Sequence, residues 1–342
     1  MVLIGSERFI EHQTPDGHPE QPARARVMLE VSRRWVERGG ALTPPRPATR
    51  AELVQVHTPA YVDQIAATAG HGVRLDPDTY TSTESYTVAL HAAGAAIVAV
   101  EHALAESTSA IAFVRPPGHH AEQDRAMGFC LFNNVAVAAA SARAAGLDRV
   151  AVLDYDVHHG NGTQWMFYDD PRVLYVSLHQ YPFYPGTGAV TDVGRGDGIG
   201  FTLNVPLEAG AGDADYDRAM RELVGPVVTA FAPELILLSA GYDAHARDPL
   251  GGMRLSTEGY AAVTAHVQRL AASCCHGRLA AVTEGGYDLT ALDACLESTL
   301  TQLAEQPPAT AAAVTGDTSR IDRVIPAVRR ALEPYWPGVL AG

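Results

Sequence analysis

The 342-residue chain carries 39 acidic against 25 basic residues, a formal charge of -14 at pH 7, and 47% of it is hydrophobic. That balance argues against a nucleic-acid partner, which would need a positive face, and mildly favours cationic substrates. The length suits one large α/β unit, and a single domain over 1–342 is expected.

Four cysteines, Cys130, Cys274, Cys275 and Cys295, follow neither zinc-finger spacing nor a paired framework. They read as small buried hydrophobes in a reducing compartment. No lysine occurs, and GC-rich codon usage is a sufficient explanation given how frequent alanine, arginine and glycine are. The N-terminus turns charged at Glu7 and Arg8, before a signal-peptide core could form. The helix expected over 131–146, taken as the most apolar, is interrupted by Asn133, Asn134, Ser141 and Arg143, so it cannot span a bilayer. A soluble cytoplasmic protein with no membrane partner is the expectation.

Runs rich in Val, Ile and Leu alternate with alanine-rich helical stretches, the pattern of a parallel sheet covered on both faces. In chain order this predicts a strand at 2–4, helices over 21–38, 59–69 and 84–106, a strand at 110–114 and a helix over 131–145. Strands at 149–157 and 173–178 follow, then a glycine-rich surface loop over 186–200, a strand at 201–205 and a helix over 213–231. A strand at 235–238, a helix over 257–274, a strand at 279–283 and a helix over 289–305 continue the alternation. The segment 306–310 reads as a spacer before a last helix at about 318–334.

The densest chemistry lies in Val152-Leu-Asp-Tyr-Asp-Val-His-His-Gly-Asn-Gly162. Side chains at i, i+2 and i+4 of a strand share a face, so Asp154, Asp156 and His158 are expected to converge where the strand runs out. Three more strand ends carry matching residues: Arg115-Pro-Pro-Gly-His-His120, Ser239-Ala-Gly-Tyr-Asp243 and Glu284-Gly-Gly-Tyr287. In open parallel sheets the ligand sits beyond the carboxyl ends of the strands, so four strands deliver polar residues to one rim.

A catalytic zinc ion commonly takes three protein ligands and leaves a position for water. Asp156 and His158 supply two, and Asp243 is the natural third. Two carboxylates and a neutral imidazole balance a divalent charge, and such coordination lowers the pKa of water to roughly 7 in favourable sites. Adjacent His119 and His120 follow a rigid Pro-Pro-Gly, with Asp154 and Asn161 available to orient them. The carboxylate would keep one histidine basic and the amide would leave the other less so. Tyr287, behind two glycines, could aim a phenol at a reacting carbonyl.

Together the motifs Arg-Pro-Pro-Gly-His-His, Gly-Phe-Cys-Leu-Phe-Asn-Asn, Asp-Tyr-Asp-Val-His-His-Gly-Asn-Gly, Tyr-Pro-Gly-Thr-Gly, Ala-Gly-Tyr-Asp-Ala and Glu-Gly-Gly-Tyr resemble the zinc-dependent histone deacetylase superfamily, from about His18 to about Leu300. Asn161 and Asp243-Ala-His-Ala-Arg-Asp-Pro-Leu250 look like its class II branch, which includes bacterial histone deacetylase-like amidohydrolases. The resemblance implies the arginase/deacetylase fold, a central eight-stranded parallel sheet sandwiched by helices. It implies one zinc ion on Asp156, His158 and Asp243, and removal of acetyl or other short acyl groups from acyl-lysine or a related aliphatic acylamine. His120 would be general base and acid, His119 electrostatic support and Tyr287 the carbonyl-polarising donor, with Asp154 and Asn161 completing the catalytic set.

By the same resemblance Phe129 and Tyr184 wall a narrow tunnel, although the family usually has phenylalanine at the second position. Gly128, Leu250 and Gly286 lie beside the substrate, and Arg24 matches an arginine beneath the site linked to acetate exit. Asp76, or alternatively Asp78, holds the substrate backbone at the rim. Potassium is implied at an inner site of Asp154, Asp156 and His158 main-chain oxygens with Ser177 and Leu178, and at an outer one including Phe167, Asp170 and Val173. Leu250 at the gatekeeper-like place, with no long insertion before Leu75, favours acyl-lysine over acetylated polyamine. A small-metabolite deacetylase is the alternative, and a non-catalytic acylamine-binding module a remoter one. An arginase-like binuclear manganese enzyme would want carboxylates where Gly160 and His245 stand. A homo-oligomer is compatible with the sequence and not dictated by it.

Overall fold

Strands built from near-continuous Val, Ile, Leu and Ala can leave neither face to water, which forces helices onto both sides of their sheet. In the computed structural model, which describes residues 1–306 and 313–340, eight strands do this. They are β1 (Val2–Ile4), β2 (Ala41–Thr43), β3 (Ser109–Ala112), β4 (Val150–Asp154), β5 (Val173–Gln180), β6 (Thr202–Leu207), β7 (Leu235–Ala240) and β8 (Leu279–Thr283). All pair in parallel, in the order β2-β1-β3-β8-β7-β4-β5-β6.

Side chains alternate between two cores. Leu3, Ile111, Leu153, Val176, Leu203, Leu238 and Ala281 face one, with helices Pro22–Glu37, Thr257–Cys275, Leu289–Ala304 and Ser319–Leu332. Ile4, Ala112, Val152, Tyr175, Leu237 and Val282 face the other, with helices Ser85–Glu106 and Asn134–Ala144. The terminal helix Ser319–Leu332 joins the first core through Ile321, Ile325, Val328 and Leu332. At the middle of the sheet β3, β8, β7 and β4 are neighbours, so the four loops that carry the candidate residues leave it side by side.

Several expectations are corrected. The strand expected over 149–157 stops at Asp154. Asp154 Oδ1 accepts from Asp156 N at 3.1 Å and Asp156 Oδ1 from His158 N at 3.0 Å, and such local side-chain acceptors pull the backbone out of the ladder. Strand β2 went unseen because three largely exposed residues show no alternation. The helix expected from 131 begins at Asn134, since the Asn133 side chain caps it by accepting from Ala136 N. The most apolar long helix is Ser85–Glu106, long and apolar enough by composition to cross a membrane, and here mostly buried between helix Asn134–Ala144 and the sheet. Most of the expected spacer 306–310 lies outside the described residues.

That helix contains Gly94, where a Cβ would stand 1.8 Å from Arg46 O and 2.8 Å from Ala48 N. Alanine is favoured over glycine in helices by about 1 kcal/mol, but a backbone collision cannot be relieved by a rotamer change. Gly94→Ala should therefore destabilise the chain by about 1–3 kcal/mol in urea denaturation; equal or higher stability would show that the segment 46–48 yields freely.

Candidate active site

Asp156 and His158 hang from the turn after β4, and Asp243 from the turn after β7. Their ligand atoms all lie within 4.8 Å of one another in a buried cluster. His158 Nδ1 sits 3.1 Å from Asp156 Oδ1 and 3.2 Å from Asp243 Oδ2. The second contact is close but not aligned as a hydrogen bond, and Asp243 Oδ2 has no other partner among the described residues. Burial and the neighbouring Asp156 push the Asp243 carboxyl up to about 7, while burial is outweighed at His158 by the two carboxylates, which raise it to about 10.

The remaining oxygens are held by backbone donors. Asp156 Oδ2 accepts from Gly285 N at 2.8 Å, and Asp243 Oδ1 from Val157 N at 2.9 Å. A Cβ on Gly241 would lie 2.0 Å from Asp156 Oδ2, and one on Gly285 1.9 Å from Asp243 Oδ2. An orphaned buried carboxylate oxygen, two carboxylates and an imidazole on one point, and a glycine cradle fit a divalent cation. Asp154, expected to converge with this group, is not in it. Because β4 ends at Asp154, its carboxylate turns instead to His119 and Tyr175.

The two histidines are held differently. His119 Nδ1 donates to Asp154 Oδ2 at 3.0 Å, and although burial disfavours its charge, Asp154 and Asp156 hold the ring up at about 10. His120 Nδ1 donates to Asn161 Oδ1 at 2.8 Å, and Asn161 Nδ2 donates onward to Glu122 Oε1 at 2.7 Å, which fixes the amide's orientation. Burial, then the charges of His119 and His158, push His120 well below its ordinary value, so it is a neutral base whose Nε2 has no hydrogen-bond partner among the described residues. Tyr287 is buried and its phenol is pushed well above its ordinary 10.0 by burial, so it remains an O–H donor.

A cavity of about 200 Å³ joins these groups, lined by Asp78, Pro117, His119, His120, Gly128, Phe129, His158, Phe183, Tyr184, Leu250, Gly285 and Tyr287. Phe129 meets the Tyr287 ring edge-on at 5.8 Å, and Tyr184 meets the His120 ring edge-on at 5.2 Å. Gly128 has φ +57°, and a Cβ there would come within 2.4 Å of the His120 ring. Phe183, stacked on His158 at 5.4 Å, is a wall residue that sequence reasoning missed, although it precedes Tyr184.

Two placements differ from expectation. Asp78 lines the cavity, whereas Asp76 does not, since its Oδ1 accepts from Asp78 N at 2.9 Å and Thr79 N at 2.7 Å and so closes its own turn. Gly285 rather than Gly286 reaches the cavity, and Gly286 stands behind it with its carbonyl accepting from Arg24 Nε at 2.7 Å. At the expected inner potassium residues, Asp154 and Ser177 are register partners across β4 and β5, with Leu178 next along β5. At the outer ones Phe167 O accepts from Asp170 N, Asp170 O from Val173 N, and the Asp170 carboxylate is paired with Arg172.

Behind the site lies a charge cluster that joins Arg24 and Arg115, both of which stand in motifs the sequence shows, to Glu20, whose pairing no local pattern shows. Glu20, Arg24 and Arg115 are wholly buried. Glu20 Oε1 accepts from Arg24 Nη1 at 3.0 Å, and Oε2 from Arg115 Nη2 at 2.8 Å. Arg24 also lies 5.0 Å over the Tyr287 ring and donates to Glu284 O at 2.5 Å. Asp248 holds the same tyrosine from the other side, accepting from Tyr287 N at 2.6 Å.

Fold and site together define an α/β protein of the arginase/deacetylase fold. The histone deacetylase domain family matches residues 18–303. A probable deacetylase of Archaeoglobus fulgidus is 38% identical over 291 residues, 84% of this chain and 81% of that protein. The histone deacetylase-like amidohydrolase of Pseudomonas aeruginosa is 42% identical over 286 residues, 82% of this chain and 75% of that protein. Among solved structures, the HDA15 HD domain superposes with a TM-score of 0.91 at 36% identity, covering 99% of this chain and 96% of that one. This chain belongs to the histone deacetylase family.

The Glu20 cluster yields a prediction with a definite sign. Burial raises its carboxyl, but Arg115, through its charge and hydrogen bonds, and the His12 ring beside it hold it well below its ordinary 4.5. Its contribution is therefore complete above the unfolded value of about 4.3 and is lost as pH falls toward the folded one. Glu20→Gln should cost about 3–5 kcal/mol at neutral pH by leaving buried arginine charge uncompensated, and the deficit should shrink in acid. Urea titrations giving the same deficit on both sides of the unfolded value would remove the ion-pair account.

Proposed function

We propose that this chain is a zinc-dependent amidohydrolase that removes acetyl or another short acyl group from acyl-lysine or a related aliphatic acylamine. One observation carries the reading: a narrow cavity ends where a neutral buried imidazole, a neutral phenol and the Asp156–His158–Asp243 cluster meet. The names of the Archaeoglobus and Pseudomonas relatives support a deacetylase. A single metal is favoured over an arginase-like pair because Gly160 and His245 offer no further carboxylate.

When bound, the ion would act as a Lewis acid toward the acyl carbonyl and make water a better nucleophile. His120 Nε2 takes the proton from the attacking water and later gives it to the leaving amine as the C–N bond breaks. Asn161 fixes the tautomer that makes this possible. His119, kept cationic, supplies positive potential beside it. The Tyr287 phenol donates to the carbonyl oxygen as negative charge develops there. Phe129, Phe183, Tyr184 and Leu250 enclose an aliphatic arm and keep water from it, while Asp78 offers an acceptor to a substrate N–H at the rim. Potassium at Asp154, Ser177 and Leu178 belongs to the same reading.

Tyr287→Phe should retain metal and hydroxamate binding while losing about 100- to 1000-fold in kcat; unchanged turnover would remove the phenol from the chemistry. Chelation should abolish hydrolysis of acetyl-lysine peptides and zinc should restore it. In a panel that includes longer acyl-lysines and acetylated diamines, activity confined to the diamines would overturn the substrate assignment.

A further inference from the structure

Strand β3 stops pairing with β8 after Ala112; Phe113 N still donates to Ile4 O of β1 at 2.9 Å, and beyond it the chain leaves the sheet toward the catalytic histidines. Side chains of β8 and its extension take over where the backbone ladder ends. Val114 N donates to Thr283 Oγ1 at 2.8 Å, and that hydroxyl donates back to Val114 O at 3.2 Å. One residue on, Glu284 Oε2 accepts from Gly118 N at 2.6 Å and from His119 N at 3.2 Å. Its Oε1 accepts from Ser239 Oγ on β7 at 2.9 Å. Glu284 is wholly buried, and its backbone is tied on both sides, N to Ala240 O at 3.0 Å and O to Arg24 Nη2 at 2.5 Å. No step of the proposed reaction uses its carboxylate.

We infer that Glu284 is a positioning residue that sets the His119–His120 pair against Tyr287; the inference rests on the deacylase reading above. Pro116 and Pro117 have no N–H, so the Gly118 and His119 amides are the first donors available after Arg115. Two amides converge on one buried carboxyl oxygen, which accepts from both, so what the loop requires is an acceptor held at that reach. The loop has no slack on its other side, where a Cβ on Gly118 would stand 2.4 Å from Asn134 N. One side chain thus spans the strand ends that bear the base, the Asp243 ligand and the phenol. Aspartate at this position reaches about 1.5 Å less and cannot hold Ser239 and Gly118 together. Glutamine keeps the reach and one acceptor oxygen, and can donate to Ser239.

The test uses the zinc-loaded full chain and an acetyl-lysine peptide. Glu284→Asp should lose about 100-fold in kcat, the scale of a 1 Å misplacement. Its KM and hydroxamate Kd should stay within about 3-fold of the parent, and Glu284→Gln should recover most of the kcat. A Glu284→Asp variant with kcat within about 3-fold of the parent, or with its loss confined to KM or hydroxamate affinity, overturns the inference. So does Glu284→Gln failing as badly as Glu284→Asp, because reach would then not be what matters. A measurement on the parent guards against misfolded variants: the Gly118 and His119 amides should exchange with deuterium as slowly as those of the central strands, and exchange at the rate of an open loop overturns it. Should the parent hydrolyse no acylamide, the deacylase reading fails, and amide exchange still decides whether Glu284 holds the loop.

Discussion

Asp156 and Asp243 arrive from different strands and stop with their carboxylates on the same imidazole nitrogen, in a place closed to bulk water. Two like charges at about 4 Å repel by about 1 kcal/mol in water and about 4 kcal/mol at the effective dielectric of a protein. The backbone donors of Val157, His158 and Gly285 offset part of that. They do not satisfy Asp243 Oδ2, and the demand for positive charge that remains makes this corner suited to a cation. The absent side chains of Gly241 and Gly285 are part of the same arrangement, since either Cβ would occupy the carboxylates' place.

That concentration of negative charge also divides the histidines. Their rings lie 4.1 Å apart, yet one is paired with a carboxylate and the other with an amide. A charged His119 makes a second charge on His120 unfavourable, so one ring stays cationic and its neighbour stays a base. Neither environment would produce this alone. The asymmetry comes from Asp154 turning away from the Asp156–His158–Asp243 cluster and from Asn161 being anchored by Glu122.

The rest of the chain holds these loops still. Burying Glu20, Arg24 and Arg115 is costly, and the cost is offset only because each charge is hydrogen-bonded. Through Arg24 this cluster grips the carbonyls of Glu284 and Gly286, and Asp248 grips the amide of Tyr287, so the phenol is fixed from both sides. Rigid buried supports of this kind suit a reaction whose donors must be aimed before charge develops.

Much of the site was legible because it is local. The spacing of Asp156 and His158, the adjacency of His119 and His120, and the Gly-Gly before Tyr287 are short-range patterns at the ends of apolar runs, and the alternation of those runs with helices specifies a parallel sheet. What could not be read was which acceptor each group would find. Asp154 leaves the Asp156–His158–Asp243 group because turns at Asp154 and Asp156 end the strand early, a competition between side chain and ladder that periodicity does not resolve. Asp76 is the first choice in the sequence and Asp78 the alternative, and a turn that consumes the Asp76 carboxylate leaves Asp78 to line the cavity. Glu20, Glu284 and Asp248 look like ordinary acidic residues until strand order brings them to donors from distant parts of the chain. The sequence by itself determined the chemical groups and the strand ends at which they gather; tertiary structure decided their protonation and aim, because both depend on burial and on partners chosen by long-range packing.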